Sequence, residues 1–122
     1  MARARIADDA GSSAVRTALA ASEPVSRETT AMAVRYLLQL LAERAPGNTV
    51  EMRVPPFGAV QCIEGPRHTR GTPPNVIETD PETWLELATG ILDWPDALAS
   101  GTVTASGQRA NLEGLLPILT IG

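Results

Sequence analysis

The sequence predicts an α/β domain of the α+β type, and three observations carry that prediction. Apolar residues recur at helical spacing through residues 27–44. After Pro46-Gly47 the period drops to two, as in a strand. Beyond residue 80, two short helical stretches closed by glycine precede one more strand and a leucine-rich end. The predicted order is helix, three strands, two short helices, strand, helix. No internal repeat and no internal linker interrupts it.

The elements follow in order. Residues 1–24 read as a flexible N-terminal segment. Residues 12–21 in it are rich in helix formers, with Val15, Ala18 and Leu19 on one face. That pattern predicts a short, weakly docked helix, ended by Pro24. The main domain is residues 25–122. Ser26 is placed to cap the helix 27–44. Val34, Leu37, Leu38 and Leu41 form its apolar stripe, and Met32, Ala33, Tyr36 and Leu40 widen it. Only Arg35, Gln39 and Glu43, spaced by four, make a polar ridge. So wide an apolar surface predicts cover on two sides. One cover is a sheet. The other is the first helix, a partner chain or a ligand.

In Thr49–Val54, Val50, Met52 and Val54 alternate with Glu51 and Arg53, as in a half-buried strand. A second strand is predicted at about 57–64. Phe57, Ala59 and Ile63 on one face and Val60 and Cys62 on the other predict a central position in the sheet. Residues 65–75 form a Gly/Pro-rich loop, and 76–79 a third strand. Asp80-Pro81-Glu82 opens a helix as cap, first residue and first-turn acid, and Gly90 closes it. Asp93 is expected to cap a short helix ending at Gly101. Residues 102–106 are the last strand. Leu112, Leu115, Leu116 and Leu119 predict a terminal amphipathic helix, stopped near Pro117.

Composition excludes several functions. All ten basic residues are arginine, and there is one His and one Cys. Without lysine there is no Schiff-base chemistry and no phosphate-loop lysine. One His and one Cys cannot build a structural zinc site, which takes about four such ligands. A single Cys forms no intrachain disulfide. Hydrophobic content of 43% supports a real core. Residues 1–53 carry seven Arg against six acids, and residues 54–122 three Arg against eight acids. An acidic chain with two Trp, one Tyr and one Phe is not expected to bind nucleic acid. No apolar run approaches the ~20 residues of a membrane span. The first residues read as neither a secretory signal nor a transit peptide, so the expected location is cytoplasmic.

Residues 76–119 carry a recognisable pattern. A strand leads to Asp80, then a Trp/Leu helix to Gly90, a second short helix, Gly101-Thr-Val-Thr-Ala-Ser-Gly107 and a leucine-rich end. This resembles the C-terminal half of the sterol carrier protein family. Residues 53–61 (Arg-Val-Pro-Pro-Phe-Gly-Ala-Val-Gln) and 65–74 (Gly-Pro-Arg-His-Thr-Arg-Gly-Thr-Pro-Pro) resemble its small single-domain bacterial members. The resemblance covers about residues 27–119. The chain departs from the family at Gln108, where an acid is common. The resemblance implies a mostly antiparallel four- to five-stranded sheet with helices on one face and an apolar cavity between. It also implies binding or transfer of a lipid, sterol or fatty acyl chain, with no chemistry and no cofactor.

On that reading the ligand meets Leu37, Leu41, Met52, Val60, Cys62, Trp84, Leu87, Trp94, Val103, Leu112, Leu115, Leu116 and Leu119. The plainer reading makes many of these simple core. Arg67, His68 and Arg70 read as a site for an anionic head group, as a loop that is solvent-exposed or docked on Glu64, Glu78 or Asp80, or, for His68, as a general base. Gln61 either meets the head group or satisfies loop backbone. Cys62 reads as a small buried hydrophobe. Nothing supplies a catalytic triad or a metal site, so no enzyme activity is expected. Two alternatives remain: an interaction or homodimerisation module with a collapsed cavity, and an accessory domain of an enzyme.

Overall fold

The computed structural model describes residues 4–65 and 74–121. Helices α1 (Asp8–Ala20) and α2 (Arg27–Arg44) come first. Strands β1 (Val50–Val54), β2 (Gly58–Cys62) and β3 (Asn75–Thr79) follow. Helices α3 (Pro81–Thr89) and α4 (Trp94–Ser100) then precede strand β4 (Val103–Ser106). The four strands form one sheet in the order β2-β1-β3-β4. β1 runs antiparallel to β2 and parallel to β3, and β3 runs antiparallel to β4. This is the predicted α+β fold with a mostly antiparallel sheet.

The alternation of side chains along the strands sorts the two faces of the sheet. Val50, Met52, Val54, Cys62, Ile77 and Val103 point inward and are buried. Ala59, Gln61, Glu78 and Thr104 point outward and are exposed. The helices therefore cover one face only. Between α2 and the inner face, Leu37, Leu41, Met52, Ile77, Trp84, Leu87 and Leu112 are fully buried in one cluster. Trp84 from α3 reaches across it, and its Nε1–H donates to Val34 O at 3.3 Å. That bond satisfies the one polar atom of a buried indole.

Local chemistry sets the helix ends. Ser26 Oγ accepts from Thr29 N at 3.1 Å, as an N-cap does. Asp80 accepts from Thr83 N at 2.8 Å and from Thr83 Oγ1 at 2.9 Å. Asp93 occupies the cap position of α4, but its side chain makes no capping bond. Gly90 closes α3 with φ +86°, a conformation that costs glycine nothing. On the second side of α2 lies α1. It begins at Asp8, earlier than the helix-former run suggested. Asp8 and Asp9 sit in its first turn, where the helix dipole favours acids. Gly11 packs onto the Tyr36 ring, and Val15 is fully buried. The wide apolar surface of α2 is thus covered by the sheet and by the first helix.

Two expectations are corrected. β2 is an edge strand, not a central one. Its second apolar face came from Phe57 and Ile63, which both lie outside the strand. Phe57 belongs to the turn, and Ile63 has φ +68°. Within β2 that face holds only Ala59 and Gln61, both exposed. The terminal amphipathic helix is absent: residues 107–121 contain no helix. Gly114 has φ +89° and Pro117 supplies no N–H, which leaves too short a run for a helix. The segment docks by other means. Ile118 N and Leu119 N donate to Ala88 O at 2.7 and 3.1 Å. The Arg44 guanidinium donates to the carbonyls of Leu115, Pro117 and Ile118 at 3.0, 2.7 and 3.2 Å.

Candidate ligand-binding groove

The polar ridge of α2 lines a hollow among the described residues. Arg35 Nε donates to Phe57 O at 2.8 Å. The Arg27 guanidinium stacks over the Phe57 ring, 4.9 Å from its centre. These two arginines hold the β1–β2 turn against α2 and position the start of β2. One turn further along, Gln39 grips the N-terminal backbone at both polar atoms of Ile6. Ile6 N donates to Gln39 Oε1 at 2.8 Å, and Gln39 Nε2 donates to Ile6 O at 2.9 Å. Another turn on, Glu43 takes both ends of the Arg5 guanidinium, with Nε–Oε2 at 2.6 Å and Nη2–Oε1 at 2.9 Å.

Between these two walls lies a groove of about 560 Å³. β2 and its turn (Phe57, Gly58, Ala59, Val60) form one wall, and Ala4, Arg5 and Ile6 form the other. Leu38 and Ala42 of α2 line it between them. Its volume falls in the range of about 300–1,000 Å³ that small-molecule sites occupy. The surface is mostly apolar, with Arg5, Arg35, Gln39 and Glu43 as its polar members. The edge position of β2 is what leaves this side open.

Electrostatically, the N-terminal wall is a paired network. Asp8 Oδ1 accepts from Tyr36 Oη at 2.8 Å and from Arg5 Nη2 at 3.0 Å. The Tyr36 bond, then the Arg5 bond, hold the Asp8 carboxyl below its usual range. The Arg5 hydrogen bonds lower Glu43 likewise. Burial, then the bond to Asp8, raises Tyr36. Arg5 is thereby neutralised by two carboxylates. Arg35 spends its Nε on Phe57 O and shares the groove with this paired network.

The residues predicted to meet a ligand are dispersed. Val60 lines the groove. Leu37, Leu41, Met52, Cys62, Trp84, Leu87 and Leu112 are fully buried, and Trp94 and Val103 nearly so. Leu87, Trp94 and Leu116 also line a second hollow of about 380 Å³ beside Asp93 and Glu113. Leu115 and Leu119 are half-buried and pack against the core. Gln61 is exposed on the outer face. Arg67, His68 and Arg70 lie outside the described residues. Burial pushes the Cys62 thiol up to about 11. Among the described residues, no group of three or more His, Cys, Asp or Glu could hold a metal ion. None of their helices is long and apolar enough to cross a membrane.

In the sequence Arg35, Gln39 and Glu43 are legible only as the polar face of α2. Their spacing of four was the available signal. Their partners lie 22, 33 and 38 residues away, so spacing alone could not supply them.

One four-stranded sheet, helices on a single face and a groove at the β2 edge define a small α+β domain. The family model described as bacterial SCP ortholog matches residues 26–118, and the chain belongs to that family of sterol carrier protein orthologues. Membership points to lipid binding or transfer in general. A comparison with curated proteins finds no match. The matched span takes in α2, the sheet and α3–α4, while the N-terminal wall of the groove and α1 precede it.

Proposed function

We propose that this protein binds an apolar lipid, such as a fatty acyl chain or sterol, without chemistry, in the groove between α2 and β2. The observation that carries the reading is the groove itself: an apolar hollow of ligand size beside a filled core. A ligand enclosed between sheet and helices would have to displace Leu37, Met52 and Trp84, all fully buried. A ligand in the groove displaces water. Each buried methylene then contributes about 0.8 kcal/mol before the costs of association. The expected affinity is micromolar, on the order of −8 kcal/mol. The protein is read as a cytoplasmic carrier and not an enzyme.

The test combines native purification, solvent extraction and mass spectrometry with titration of a fluorescent fatty acyl probe. Wild type is expected to bind the probe, and Ala42→Trp, which fills the groove from a half-buried position, to lose it. If wild type carries no lipid and binds no probe, or Ala42→Trp binds equally well, the reading is wrong. The open edge of β2 favours a second reading, in which two copies pair through that strand. Sedimentation distinguishes them: a monomer at all concentrations removes the dimer.

A further inference from the structure

We infer that residues 4–7 are a releasable strap that forms one wall of the groove and retains its occupant, with Gln39 as its main fastening and Arg5 as an auxiliary one. The inference rests on the groove reading and adds its regulation.

Three observations carry it. The segment is a wall of the groove, since Ala4, Arg5 and Ile6 line it opposite β2. It precedes α1, and its hold on α2 runs through side chains. Gln39 pairs with both polar atoms of the Ile6 backbone, at 2.8 and 2.9 Å, as a neighbouring strand would. Arg5 adds its fork to Glu43 and a bond to Asp8. These fastenings differ in kind. Arg5 and Glu43 are each nearly half exposed (46% and 45%), so water competes for that pair and its contribution is small. The Gln39 bonds are partly buried and satisfy a backbone N–H and C=O together. The wall is held by these bonds and by the half-buried Ile6 side chain packed against the core, and it can open without disturbing the fully buried residues beneath.

The physical consequence is a gate. With the strap fastened, an occupant between Ile6 and Val60 is covered on both sides. With it released, the same occupant leaves along an open face. Loss of the Gln39 bonds therefore accelerates release more than it alters the fold. Loss of Arg5 does so to a smaller degree.

The experiment measures dissociation of a fluorescent fatty acyl probe by stopped flow, for wild type, Gln39→Ala, Gln39→Glu and Arg5→Ala. Amide exchange of Ile6 is followed in the ligand-free proteins. For Gln39→Ala, Ile6 is expected to lose protection, and the probe to leave about tenfold faster, the factor that one or two lost hydrogen bonds supply. Gln39→Glu keeps the acceptor and loses the donor, and should fall between. Arg5→Ala, which lies outside both helices, keeps the inference testable if a helix variant folds poorly. If wild type binds the probe and no variant changes its dissociation, the strap is wrong while the groove stands. If wild type binds no probe, both fall.

Discussion

Replacing Gly11 by alanine should destabilise this protein, although the same change usually stabilises a helix. Gly11 lies inside α1, where alanine has the better helix propensity by about 1 kcal/mol. A β-carbon there would stand 2.6 Å from Tyr36 Cδ2 and closer still to Cγ and Cδ1. The Tyr36 ring is 2% exposed, so it cannot simply swing into solvent. Either α1 lifts from α2 or the ring moves and breaks its bond to Asp8. Overpacking of this kind costs about 1–3 kcal/mol. Losing the Tyr36–Asp8 bond adds little to this, because Asp8 is exposed and water competes for it. A clash this deep lies at the upper end of that range, so after the propensity gain the net loss is on the order of 1–2 kcal/mol, read as a lower urea midpoint with an unchanged slope. Ser13→Ala, on the exposed side of the same helix, controls for propensity and should be neutral or slightly stabilising. In a Tyr36→Leu background the penalty should shrink. A Gly11→Ala protein more stable than wild type would refute this account of the α1–α2 contact.

Other predictions address the remaining contacts. Asp8 and Glu43 are both held below the usual carboxylate range, so their contribution to strap docking is present above the ordinary values and lost as pH falls through the lowered ones. Ile6 amide protection should hold from neutral pH down to about pH 4 and weaken only slightly below it, because the Gln39 bonds do not titrate; a complete loss while core amides such as that of Leu41 persist would show that the Arg5 network is the main fastening. Cys62, fully buried with its thiol pushed up to about 11, should react with iodoacetamide at pH 8 only as fast as the protein opens. Rapid labelling of the folded protein would count against its burial. Arg44→Ala removes three bonds to the C-terminal segment and should lower stability by about 1–2 kcal/mol. Arg44→Lys, a point charge without the fork, should recover only part of it. Unchanged exchange at Ile118 and Leu119 in Arg44→Ala would show that the segment is held by packing alone.

The features legible in the sequence were those with local causes. α2 runs over the residues its periodicity and Ser26 indicated, and α3 over those set by Asp80, Pro81 and Gly90. The alternation in β1 correctly identified its buried residues. The groove was legible only in fragments. Val60 was named for one reason, and Arg35, Gln39 and Glu43 were noticed for another. Nothing in the chain order joins them to Ile6.

Sequence by itself determined the α+β class, the family and the inward residues of α2 and β1, because periodicity, caps and glycines act within a few residues. Tertiary structure decided three things that depend on long-range partners. It placed β2 at the edge, because β1 has two sides and β3 takes the second in parallel. It laid the leucine-rich end down as an irregular segment, because Ala88 and Arg44 satisfy its backbone from elsewhere in the chain. And it turned the polar ridge of α2 into a groove and its fastening, because three side chains one turn apart meet the β1–β2 turn and the N-terminal backbone and charge.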